Sequence, residues 1–345
     1  VLALLACPNG FAAAPGPTVA LLTFASFTNF TRTTNAAETV LTSPALDPGL
    51  TWDELIVSWN AMTNVTLTVE ARAQSDSEPA RWFNLGRWSG DPNLGLRTSV
   101  NGQRDDIGHV ETDTLSLVKP ARKAVVRVTL RGPESGLKYL AVCFANAHAV
   151  AASRVADKAA WGRMVDVPVR SQADYPEGVD KWCSPTSTTM LLAFWARDLK
   201  RPELDFDVRV TAAGVFDPGW AGTGNWVFNT AFAGAQTGIR ACVARFEDVS
   251  QLEAWTQNGI PVAVSVSYGL LKGGAKPLPG DGHIVVVCGF TIEGEVVAND
   301  PGVRQERVRR TFPRADFVRA WERSHRTAYL VWPEVQNVPR PVGGR

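Results

Sequence analysis

The chain has 345 residues, 45% of them hydrophobic, and a formal net charge of +1 at pH 7. That length exceeds most single domains, so two are expected, each with a full-sized core. The near-neutral charge gives no pull towards nucleic acid, and no stretch in the body of the chain is apolar for long enough to cross a bilayer.

Residues 1–17 read as a leader. Val1-Leu2-Ala3-Leu4-Leu5-Ala6-Cys7 looks like the tail of an apolar signal region. Leu4-Leu5-Ala6-Cys7 resembles the bacterial lipoprotein box, in which the Cys becomes the lipidated first residue, and Ala12-Ala13-Ala14 offers a competing secretory cleavage site. Both readings predict export, to the periplasm, to the cell surface or as a secreted protein. A lipid anchor at Cys7 is the only membrane contact expected.

Residues 18–146 read as an all-β sandwich, jelly-roll-like. Leu55–Trp59, Val65–Val69, Arg81–Leu85, Ala124–Leu130 and Lys138–Val142 are strand-like runs separated by Pro, Gly, Asn and Asp clusters. Trp52, Trp59, Trp82 and Trp88 crowd this unit. Core filling is the plainer account of them; stacking on a glycan is the functional one.

Residues 147–163, small and Ala-rich, are expected to connect the two units, with room for a short helix. Residues 164–335 change character. Helical patterns at 183–197, 225–235, 249–257 and 314–323, with strand patterns at 261–267, 283–290, 295–298 and 328–332, predict an α+β domain. Residues 336–345 are a tail.

Five cysteines in a chain this long do not make a disulfide scaffold, and no Cys-x-x-Cys or Cys/His cluster points to zinc, so neither metal nor cofactor is expected. Cys143, Cys242 and Cys288 sit in strand-like, apolar surroundings. Cys183 differs. Ser184, Pro185 and Thr186 suit the first turn of a helix, and Met190–Trp195 continue it as an apolar run. A thiol there feels the helix dipole and the free N–H groups of the first turn, and both favour the reactive thiolate.

A nucleophilic Cys needs a base, and the base needs an orienting group. Of four histidines, His283 stands where the loop Pro279-Gly280-Asp281-Gly282 enters the apolar run Ile284–Val287. His109 and His148 belong to the β unit, and His325 reads as a solvated turn residue. A hairpin turning at Glu293-Gly294 returns Asn299-Asp300-Pro301 beside His283. Asp300 is expected to accept the Nδ1 proton of His283 and fix its tautomer, with Asn299 as the other candidate. Gln172, upstream of Cys183, is the candidate oxyanion donor, together with the Cys183 N–H. The segment 269–280, leading into His283, reads equally as a flap over the site or as a surface loop.

Val167-Pro168-Val169-Arg170-Ser171-Gln172, the Cys at a helix start, Gly282-His283-Ile284-Val285-Val286-Val287-Cys288-Gly289-Phe290 and Asn299-Asp300-Pro301 occur in an order that resembles the papain-like peptidases of cysteine-peptidase family thirty-nine, which includes the bacteriocin-processing double-glycine peptidases. Gly224-Asn225-Trp226 and Phe317–Trp321 resemble the stand-alone, exported branch. The resemblance covers about Met164 to Pro333. It implies Cys183 as nucleophile, His283 as base, Asp300 as orienter and Gln172 as oxyanion donor, acting on a peptide or protein substrate. Two departures stand out: Ser184 replaces the Gly of the family's Cys-Gly-Pro, and Tyr175–Asp180 lengthens the spacing from Gln172 to Cys183. A papain-fold acyltransferase or amidase, and a non-catalytic surface protein that binds glycan or protein through a degenerate peptidase domain, are the alternatives.

Overall fold

The computed structural model describes residues 16–74, 81–149 and 155–339. The leader features Cys7 and Ala12–Ala14, and the end of the tail, lie outside the described residues.

The described N-terminal unit contains strands β1 (Val19–Phe24), β2 (Thr31–Thr34), β3 (Thr39–Thr42), β4 (Trp52–Ala61), β5 (Thr66–Gln74), β6 (Phe83–Ser89), β7 (Gly108–Glu111), β8 (Thr114–Ala121), β9 (Lys123–Arg131) and β10 (Leu137–Ala145). They form two five-stranded antiparallel sheets, ordered β1-β10-β4-β8-β7 and β2-β3-β9-β5-β6. Strand alternation decides what is buried. In β5, Leu67, Val69, Ala71 and Ala73 point into the core, while Thr66, Thr68, Glu70 and Arg72 are half-buried. Trp52, Trp59 and Trp88 are fully buried, with Trp59 and Trp88 in edge-to-face contact. Trp82 is only half-buried, with the guanidinium groups of Arg72 and Arg127 over its ring at 4.7 and 4.2 Å. Trp52, Trp59 and Trp88 therefore fill the core, and Trp82 packs against two arginines outside it.

The C-terminal unit runs α1 (Cys183–Asp198), α2 (Val208–Val215), α3 (Trp226–Ala235), β11 (Ile239–Arg245), α4 (Val249–Gln257), β12 (Val262–Ser267), α5 (Tyr268–Leu271), β13 (Gly282–Phe290), β14 (Val296–Asn299), β15 (Arg309–Phe312), α6 (Arg314–Glu322) and β16 (Thr327–Pro333). Its six strands form one antiparallel sheet, ordered β11-β16-β12-β13-β14-β15. Helices come first and most strands later, as the α+β pattern predicts.

The two units are joined where β11, at the sheet's edge, meets the outer face of β4. An edge strand leaves backbone groups without a ladder partner. Here side chains supply the partners. Asn60 accepts from the Ala241 N–H at 3.0 Å and donates to the Ala241 carbonyl at 2.7 Å. Ser58 Oγ accepts from the Val243 N–H at 3.1 Å, and Cys143 Sγ from the Arg245 N–H at 3.2 Å. Residues 54, 58 and 60 share one face of β4, which is why that strand is buried on both sides. Gly234 of α3 makes room for Asn60: a Cβ there would lie 2.0 Å from Asn60 Nδ2.

The connection is also held down. Its described part contains a 3-10 turn, Lys158–Ala160. Buried Glu253 accepts from the Asp157 N–H at 2.7 Å, from Trp161 Nε1 at 2.8 Å and from Arg314 at 2.7 Å. Next to it the chain lies against β13 at Gly289, where a Cβ would meet the Arg163 carbonyl at 2.2 Å.

Candidate active site

Cys183 is the first residue of α1, as expected, and no side chain caps that helix end. Several polar residues of the helix tie it to its neighbours across the core. Ser187 Oγ donates to the Ile284 carbonyl at 3.2 Å, Thr188 to Asn229 at 3.1 Å, and Thr189 shares a 2.9 Å bond with Thr211. The Ser187 bond locks the helix to β13 one residue past His283. Ser184 Oγ and the Tyr329 hydroxyl lie 2.8 Å apart, both buried. The serine that replaces glycine in the Cys-Gly-Pro pattern thus satisfies a phenol that would otherwise be stranded in the core.

His283 enters β13 with its ring buried, and Asp300 Oδ1 lies 2.8 Å from His283 Nε2. This corrects the expected tautomer: the carboxylate meets Nε2, and Nδ1 is the nitrogen left for Cys183. The register explains it. Val286 pairs with Asn299, so Asp300 stands two residues along the hairpin from His283, and only the far ring nitrogen spans that offset. Asn299 points the other way, bonded to the Val167 carbonyl and to Arg309.

Asp300 is fully buried and richly bonded. Oδ1 also accepts from the Gly302 N–H at 2.9 Å, while Oδ2 takes Arg310 Nη1 at 2.9 Å and the Tyr268 hydroxyl at 3.1 Å. The Tyr268 ring lies over the His283 ring, with centroids 4.2 Å apart. Sequence reasoning found neither Arg310 nor Tyr268.

These contacts set the protonation states. Burial alone would lower the His283 pKa, but its hydrogen bonds to Asp300 and Cys183, and their charges, raise it to about 9. Burial alone would raise the Cys183 thiol, but the hydrogen bond and charge of His283, with the backbone N–H groups of Ile284 and Ser184, bring it below its ordinary value. Burial also opposes ionisation of Asp300, and His283, Gly302 and Arg310 outweigh it, holding the carboxyl below its ordinary range. The site therefore favours a thiolate–imidazolium pair backed by a carboxylate. Burial pushes the Cys143 and Cys288 thiols up to about 12, and Cys242 higher still.

Gln172 is buried in a 3-10 turn whose N–H donates to the Pro301 carbonyl at 2.9 Å, directly after Asp300. Its Nε2 donates to the Val179 carbonyl. The lengthened segment Tyr175–Asp180 thus supplies the acceptor that orients this amide. The amide has a second hydrogen, and its side chain is not among those lining the cleft around Cys183.

That cleft has a volume of about 720 Å³ and takes one wall from the N-terminal unit, at the β7–β8 turn. Asp113 on that turn is buried and accepts from the Trp226 N–H at 2.8 Å, at the start of α3. His325, as expected, is an exposed turn residue; it stands at the rim of the cleft and bonds Glu54 at 2.8 Å beside buried Arg245, which also pairs with Glu54. The segment 268–281 is stapled: Asp281 Oδ2 accepts from Ser267 Oγ at 2.6 Å and from the N–H groups of Leu278 and Gly269 at 3.0 and 3.1 Å.

Two family models match the chain. Residues 9–144 match the Peptidase C39 N-terminal domain, and residues 164–329 match the Peptidase_C39 like family. No curated protein matches it.

Proposed function

The chain belongs to the C39-type papain-like peptidases, and from that premise we propose that it is an exported cysteine peptidase that cleaves peptide bonds through Cys183, His283 and Asp300. One observation carries the reading: Cys183 opens a buried helix against a histidine whose other nitrogen is held by a buried carboxylate at 2.8 Å. The thiolate attacks the carbonyl carbon. The oxyanion is met by the Cys183 N–H; Gln172 reaches it only by turning its amide from the Val179 carbonyl towards the cleft. The imidazolium of His283 protonates the leaving amine from Nδ1, and water, deprotonated by the same nitrogen, resolves the thioester. Asp300 keeps the ring oriented throughout.

Export rests on the leader sequence, and the unit boundaries at 18–146 and 164–335 on the change of pattern between them. We also read the N-terminal unit as jelly-roll-like. The strand orders support this: β1 pairs with the last strand, β10, and the chain crosses between the two sheets after β1, β3, β4, β6, β8 and β9.

A peptide-library cleavage screen of the wild type and of Cys183→Ala tests the proposal. Cleavage that vanishes in the variant is expected; full cleavage by Cys183→Ala would sink it. If an added amine captures the acyl group in place of water, the acyltransferase reading takes over.

A further inference from the structure

We infer that Trp220 forms the floor of a substrate subsite beside Cys183, which takes an aromatic side chain of the peptide near the bond to be cut. The inference rests on the peptidase reading above and names what that site selects.

Trp220 lines the same cleft as Cys183 and His283 and is 49% exposed. The indole is not loose. It lies across two glycines: a Cβ on Gly222 would come within 2.7 Å of the ring, and one on Gly224 within 2.8 Å. The benzo end of the ring is thus pressed against bare backbone, and the rest of the indole stays half exposed at the cleft. Seating one end of an aromatic on glycine while leaving the rest in water gains little for the fold, and an apolar surface presented this way is characteristic of binding sites.

The loop beneath is rigid, and both units hold it. Buried Asp217 accepts from the Ser99 N–H at 2.9 Å, from the Gly219 N–H at 3.0 Å and from Asn225 at 2.9 Å. Asn101 donates to the Gly219 carbonyl. Thr223 Oγ1 donates to the Lys181 carbonyl at 2.9 Å, which ties the loop to the chain two residues before the nucleophile. A platform fixed before the substrate arrives loses little entropy on binding. Its flat π face favours an aromatic ring, stacked offset or edge-on, over an aliphatic branch. Ser99 and Asn101 also give the N-terminal unit a part in selection: it braces the loop that bears the subsite.

The test measures kcat/KM for pairs of peptides that differ only by Phe or Ala at each position flanking the cleaved bond. At one position the wild type should prefer Phe, and in Trp220→Ala that Phe-to-Ala ratio should fall about tenfold, with Trp220→Phe restoring part of it. Iodoacetamide labelling of Cys183 in the same variants reports whether the nucleophile is intact. A ratio that Trp220→Ala leaves unmoved at every position overturns the inference while leaving the peptidase reading in place. So does a preference at that position for Arg alone. A wild-type protein that cleaves no peptide overturns the peptidase reading, and the subsite with it.

Discussion

Asp300 stands with Oδ1 2.8 Å from His283 Nε2 while Arg310 and Tyr268 share its Oδ2, at 2.9 and 3.1 Å. The carboxylate is therefore fixed from both sides, and its charge is divided between the base and an arginine.

Asp300→Asn removes the charge that sustains the imidazolium. We expect kcat to fall by roughly 10²–10⁴-fold, and the alkaline limb of the kcat/KM profile to move down from about 9 towards the ordinary histidine value. Arg310→Ala leaves the Tyr268 and Gly302 donors in place. It should cost about tenfold or less and should not move that limb down, because removing a neighbouring cation favours the imidazolium. A downward shift in Arg310→Ala would refute this division of roles.

The three residues of the proposed triad stand out in the sequence because they sit at marked positions: a thiol before a helical run, and a histidine and an aspartate at the two ends of a hairpin. Their partners do not. Arg310 reaches Asp300 only because β15 pairs with β14, and β15 is four residues long, too short to show a period. The four-residue strands β2, β3 and β7 were hidden for the same reason. The choice of Nε2 over Nδ1 followed from a register that the sequence does not state.

Ser184 and Tyr329 form a buried hydroxyl pair at 2.8 Å. Ser184→Gly, which restores the family's usual Cys-Gly-Pro, should destabilise the fold by about 1–3 kcal/mol, because it strands the Tyr329 hydroxyl. Tyr329→Phe in that background should recover part of the loss. Additive losses in a denaturation double-mutant cycle would contradict the pairing.

Asn60 meets both backbone groups of Ala241, across the junction of the units. Asn60→Ala leaves two buried groups without partners and should cost about 2–5 kcal/mol in chemical denaturation. A change below about 0.5 kcal/mol would show that the edge of β11 does not depend on these bonds. Ser58 lies inside the expected strand Leu55–Trp59 and Asn60 just past its end; the face they bind belongs to the other unit, and no local pattern reports it.

Asp113 couples folding to pH. Burial raises its pKa to about 6, against the helping hydrogen bonds of Thr114 and of the Trp226 and Val227 N–H groups. The unfolded value is about 3.9, so the folded state favours the protonated form. The stability that this group contributes is fully present below about pH 4 and is lost as the pH rises through about 6. Asp113→Asn keeps an acceptor for the Trp226 N–H and should flatten that part of the stability curve. Asp113→Ala also loses the acceptor of the Trp226 N–H and should cost about 1 kcal/mol at low pH. Equal slopes in wild type and Asp113→Asn would contradict the assignment.

The central claim is that His283 holds Cys183 as a thiolate, and alkylation of Cys183 by iodoacetamide across pH, read on the Cys183 peptide by mass spectrometry, tests it most directly. The buried thiols Cys143 and Cys288, pushed up to about 12, should stay slow throughout. The account predicts a rate for Cys183 that titrates well below the ordinary thiol value of about 8.5, and that shifts up towards it in His283→Ala. An ordinary thiol titration in the wild type, unchanged in His283→Ala, would contradict it.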